Sequence, residues 1–175
     1  MLALRRIEIS QKDWKKIINK YKKRIRIILE PFDEQSYSFC KQFRKHVFIK
    51  ISSSENDNFN IIFDSLKNFK KVFFNISGKS ENEIFNFLKI LKINKKKVVL
   101  LYGYQNFPTK FDKLRFDLIN KINKKKFIVG YADHSSSENL YNSYNASIIS
   151  ILLGAQYLEK HITFNRKKKP PDYIS

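Results

Sequence analysis

FIVGYADHSSSENL, residues 127–140, is the stretch on which the fold turns. A strand-length apolar run, FIVGY (127–131), delivers an Asp-His pair and then a serine patch. A helix follows that ends at LLG, with Gly154 in the C′ place where a left-handed backbone is wanted. YLEKHITF (157–164) repeats the arrangement and carries His161 to the point where a second apolar strand leaves the sheet. Two of the chain's three histidines thus sit at the ends of consecutive strands.

The same rhythm extends toward the N-terminus. RIRIIL (24–29), HVFIKI (46–51), KVFFNI (71–76) and KVVLLYG (97–103) read as strands, each followed by a segment of helical period. Those helices are DEQSYSFCKQF (33–43), Asp57 to Phe69, SENEIFNFLKILK (80–92) and FDKLRFDLINKI (111–122); in the third, Ile84, Phe87, Leu88 and Leu91 share a face. Ahead of them SQKDWKKIINKYKK (10–23) is a helix with Ser10 as N-cap and Asp13 at N3. Six strands of near-continuous apolar character, with no Pro inside any of them, predict a parallel sheet covered on both faces. The fold class is α/β, in a single domain over 1–175.

The net charge of +19 invites a nucleic-acid reading. The lysines are, however, scattered through every helix and turn, in a chain also rich in Asn, Ile, Phe and Tyr. A/T-rich codon bias accounts for that mix, and no recognition helix, zinc-finger spacing or RNP-like strand accompanies the charge. No run of 18 apolar residues occurs, and the N-terminus has too short an apolar stretch for a signal peptide. The single cysteine, Cys40, excludes an internal disulfide, fits a reducing cytoplasm and is expected as a buried apolar group on a helix.

Parallel βα sheets gather their binding residues at the C-terminal ends of the strands. Those ends carry Glu30 and Asp33; Lys50 with Ser53 and Glu55; Ser77; Gln105; Asp133 with His134; and Glu159 with His161. A lysine directly after HVFI is costly to bury without an anionic partner. Two neutral imidazoles converging on one rim are the start of a divalent metal site. A strand-terminal histidine can equally be structural, and His46, at a strand's start, is read that way.

Taken together and in order, EPFDEQS, KISSSE, LLYGYQNFPT, GYADH and LEKHITFNRKKKPPD resemble the sialic acid synthase family from about Asp13 to the last residue. Members of that family condense phosphoenolpyruvate with N-acetylmannosamine or a related N-acyl sugar to a nonulosonic acid, releasing phosphate. The resemblance implies a (β/α)8 (TIM) barrel, here a partial one with family strands three to eight. It implies that His134 and His161 bind a divalent metal, manganese or magnesium. Lys50 matches the lysine that contacts phosphoenolpyruvate, Ser53 a phosphate-side hydroxyl, and Glu55 the catalytic-site glutamate. Ser77, Gln105, Phe107 and Asp133 fall at further substrate-binding positions, Ser77 in a turn that aligns only loosely. A cytoplasmic homodimer without nucleic-acid or membrane partners is the implied setting.

Departures from the family pattern are informative. Ala132 replaces the serine before Asp-His, and Glu30 stands where a threonine is usual. Gln105 and Phe107 replace an Asn and a Tyr, so one phosphate-binding hydroxyl is lost. The family's first two strands, its last barrel helix and the antifreeze-like C-terminal domain of many members are without counterparts. Six strands do not close the usual barrel, so RIRIIL and YLEKHITF are expected as unpaired edges. The expectation is therefore a split or frame-disrupted gene product, or a shortened chain: either a subunit needing a complementing chain or an inactive remnant.

Overall fold

The computed structural model of the chain describes residues 8–91, 95–104, 106, 108–136 and 139–162. Its elements alternate: α1 (Gln11–Tyr21), β1 (Ile27–Leu29), α2 (Glu34–Lys41), β2 (Val47–Ile51), α3 (Phe59–Asn68), β3 (Val72–Asn75), α4 (Glu81–Ile90), β4 (Val98–Tyr102), α5 (Asp117–Lys124), β5 (Ile128–Asp133), α6 (Leu140–Leu152) and β6 (Tyr157–Lys160). The six strands form one parallel sheet in sequential order, β1 to β6. Among the described residues β1 and β6 are the edges, as expected, and no helix is long and apolar enough to cross a membrane.

Caps fix where the helices begin. The Ser10 and Asp33 side chains accept from the backbone N–H three residues on, and Ser80 forms a reciprocal capping box with Glu83. Each such cap is worth about 1 kcal/mol. Gly154, at φ +102°, ends α6 in the left-handed conformation. The segment 111–122 departs from the single helix its period suggests. A 3-10 turn at Phe111–Lys113 gives way to extended backbone at Leu114, and α5 starts only at Asp117. The Tyr102 phenol at the end of β4 accepts the Arg115 N–H at 2.8 Å, and Arg115 in turn clasps Asp117.

Side-chain parity divides the core into two layers. Outward residues of the strands, such as Val72, Phe74, Val98, Leu100 and Val129, pack under helix residues such as Ile62, Ile84, Leu88 and Ile119. Cys40 lies in this layer, where burial pushes its thiol up to about 12. Inward residues form a smaller core of Phe73, Val99, Leu101 and Ala132, flanked by Phe48, Ile128 and Tyr157. The sheet curls around this inner core into a partial barrel. Tyr157 of β6 meets the Phe73 ring edge-on at 5.2 Å, and its hydroxyl lies 3.1 Å from the Lys71 amine. Gly130 permits that approach, since a Cβ there would lie 2.8 Å from Leu101 Cδ2 and Tyr157 Cβ.

Candidate functional site at the C-terminal rim

Inward parity selects which strand-end residues meet. Glu30 follows β1 two residues after Ile28, which is in register with Phe48, two residues before Lys50. Glu159 lies on the inner face of β6, and the curl of the sheet brings it across to Lys50. The Lys50 ammonium is 2.6 Å from Glu159 Oε1 and 3.1 Å from Glu30 Oε2. Its side chain is only 11% exposed, so the two carboxylates are what allow the charge to be buried. Burial by itself would lower the lysine's pKa; the carboxylates outweigh it and leave the value raised. For Glu30 burial dominates, and its carboxyl is held above the usual range despite Lys50. These three groups line a cavity of about 380 Å³ together with Ile28, Phe73 and Tyr157.

His161 follows Glu159 by two residues. Its ring stands edge-on to that of His134, with centroids 5.3 Å apart and planes at 89°. Two imidazoles bound side by side on one ion, with metal–nitrogen distances of about 2.1 Å, bring their centroids to roughly this spacing. His134 Nδ1 lies 3.2 Å from the Tyr104 carbonyl oxygen, which can only accept. Nδ1 therefore carries the proton that it donates to that carbonyl. Among the described residues no cluster of three His, Cys, Asp or Glu forms a fuller cage. The donor set fits an ion that keeps its other positions for water and substrate oxygens.

The remaining candidates are dispersed. Ser53 and Glu55 sit on the 3-10 turn after β2, where the Glu55 carboxylate accepts from Asn58 Nδ2 at 3.3 Å and does not line the Lys50 cavity. Ser77 is buried after β3, its Oγ without a hydrogen-bond partner among the described residues. Gln105 and Phe107 lie outside the described residues. His46 is exposed at the start of β2, at the opposite end from the rim.

Asp133 does not join the rim. β5 runs two residues past the expected FIVGY, so Asp133 is a strand residue and faces the helices, opposite to Ala132. There it pairs with Lys160 and accepts from Ser143 Oγ and the Ser135 N–H. These contacts hold its carboxyl below the ordinary value although burial opposes them. Conversely, the sequence marks Glu159 only as a polar strand end and Glu30 as a strand end and a replacement for the family's threonine, with a role for neither. Their signal was parity: each lies two residues beyond an inward apolar residue of an edge strand.

Comparison with known proteins adds a family to this geometry. The family model described as the NeuB family matches residues 1–175. The N,N'-diacetyllegionaminic acid synthase of Campylobacter jejuni is 26% identical over 97% of this chain and 50% of its own length. An uncharacterized protein of Methanocaldococcus jannaschii is 24% identical over 95% of this chain and 48% of its own. The chain thus spans about half the length of the curated relatives it matches. Among solved structures, an N-acetylneuraminic acid (sialic acid) synthetase from Leptospira borgpetersenii superimposes with a TM-score of 0.80 at 24% identity, over 95% of this chain and 57% of that one. That likeness establishes the architecture as part of a TIM barrel.

Proposed function

The chain belongs to the NeuB family, and from that premise we propose that it acts as a nonulosonic acid synthase. It would join phosphoenolpyruvate to N-acetylmannosamine or a related N-acyl sugar and release phosphate. The observation that carries the reading is the inner face of β6, where Glu159 holds Lys50 and, two residues on, the His161 ring meets His134. One rim thereby offers a cation for an anionic substrate, carboxylates for proton handling and a two-imidazole corner.

Lys50 binds the phosphate or carboxylate of phosphoenolpyruvate, exchanging its contact with Glu30 for one with substrate. Glu30, whose carboxyl burial raises, is the group best placed to hold a proton during that exchange. Glu159 keeps Lys50 aimed into the cavity. Glu55 and Ser53, on the turn after β2, and Ser77, with its buried hydroxyl, stand ready to contact substrate once the rim is completed. A divalent ion on His134 and His161 would supply Lewis-acid polarisation of the sugar aldehyde. Imidazole donors suit manganese better than magnesium, which prefers an all-oxygen shell.

Because the relatives are about twice as long, the reaction is proposed for a rim completed by further βα units, in the cytoplasm. One observation favours a second reading, an inactive remnant: Lys50 already has two carboxylates for its single charge. The two part in a trans-complementation assay. The purified chain is mixed with phosphoenolpyruvate, N-acetylmannosamine, manganese and a separately produced segment carrying the first two strands of a NeuB-family synthase. The synthase reading predicts phosphate release matched by a nonulosonic acid in the mass spectrum, both abolished by Lys50→Met. No product, with the two chains shown to associate, would leave the remnant.

A further inference from the structure

The serines of α6 face the wrong way for an ordinary core helix. Ser143, Ala146, Ser147 and Ser150 are buried against the sheet, while Tyr141, Tyr144, Ile148, Ile151 and Leu152 are exposed. What the buried serines meet explains the choice. Lys160 Nζ donates to Ser143 Oγ at 3.0 Å and to Ser147 Oγ at 3.1 Å, and it is ion-paired with Asp133. Asp133, its side chain 3% exposed, also accepts from the Ser135 N–H at 2.9 Å and from Ser143 Oγ at 3.3 Å. The buried Asp133 carboxylate is thus fully engaged, as a charge at that depth requires, while the Lys160 side chain stays 39% exposed.

The location matters as much as the satisfaction. Asp133 and Lys160 are directly opposed in the register of β5 and β6. The next residue of each strand is a histidine, His134 on one and His161 on the other. The end of β6 is clamped from both sides: Glu159 by Lys50 within the barrel, and Lys160 by Asp133 outside it. A slip between these strand ends would carry the two imidazoles apart.

We propose that the Asp133–Lys160 pair, with the α6 serines that sheathe it, is the positioning device that sets the spacing of His134 and His161 for one divalent cation. This rests on the reading of those histidines as a metal corner, but the spacing can be tested without metal. Asp133 and Lys160 are positioning residues, since their charged groups meet each other and the α6 serines.

The experiment compares the wild-type chain with Asp133→Asn, Lys160→Met and Lys160→Arg. Ring-to-ring NOEs between His134 and His161 are recorded without metal, manganese affinity is measured by calorimetry, and thermal melts confirm that each variant is folded at the working temperature. Wild type and Lys160→Arg are expected to show the NOE and similar affinity. Asp133→Asn and Lys160→Met should lose the NOE and bind manganese about 10–100-fold more weakly, the usual loss when the groups that orient metal ligands are removed. Folded variants that keep both the NOE and the wild-type affinity would overturn the proposal. If the wild type shows the NOE but binds no manganese, the metal corner fails, and loss or retention of the NOE in the variants still decides the positioning claim. Should one variant fail to fold, the other carries the test.

Discussion

Two lysine–carboxylate clusters stand back to back across β6, and they are balanced differently. Inside the barrel Lys50 faces two carboxylates; outside, Lys160 faces one carboxylate and two hydroxyls. In the inner cluster burial raises the Glu30 carboxyl, Lys50 opposes that shift, and the Glu159 charge adds a smaller push upward. The outer cluster matches charge for charge, and Asp133 is lowered. A matched pair whose carboxylate is fully engaged serves to hold strands. An over-supplied cation can exchange a partner for a ligand, and this separates a candidate site from a structural lock that uses the same residue types.

The comparison breaks most directly at Lys50. Lys50→Met strands two carboxylates, and removal of one partner of a buried pair costs about 3–5 kcal/mol. Since Glu30 and Glu159 keep about a third of their solvent contact (27% and 30% exposed), the low end of that range is expected in a urea titration at pH 7. Asp133→Asn removes one charge from a satisfied network whose lysine can turn to water, and about 1–3 kcal/mol should be lost in the same titration.

Proton linkage sharpens the contrast. Asp133, depressed below 3.8, contributes stability that is fully present above that value and is lost as pH falls through its lower folded pKa. The difference between wild type and Asp133→Asn should therefore narrow below about pH 4 in melts across pH. Glu30 has the opposite sign: its charge costs stability above its raised pKa, and the cost is relieved as pH falls through it. Glu30→Gln should give the smallest change, neutral to stabilising by less than about 1 kcal/mol at pH 7. It should also tighten binding of inorganic phosphate, measured by calorimetry, by leaving Lys50 with one carboxylate.

Much of this was legible in the sequence. Runs such as KVFFNI and KVVLLYG fill both faces of their strands with apolar residues, so the parallel sheet could be read directly, and its order followed from the resemblance to a barrel family. Lys50, His134 and His161 were visible because strand ends are few, and only one lysine and two histidines were singled out among the polar residues there. The rest depended on geometry that periodicity does not encode. Asp133 and His134 are adjacent, yet two more residues of strand send them to opposite faces. The meeting of Glu159 with Lys50, separated by 109 positions, follows from the curl of the sheet. Leu114 breaks a helical period because the Tyr102 hydroxyl captures the following N–H.

The most direct test of the rim as a metal-assisted site is manganese calorimetry on the purified chain beside a His134→Ala, His161→Ala double variant. One manganese bound per chain in the wild type, and none in the variant, is the predicted result. No binding, or binding indifferent to the two histidines, would contradict it.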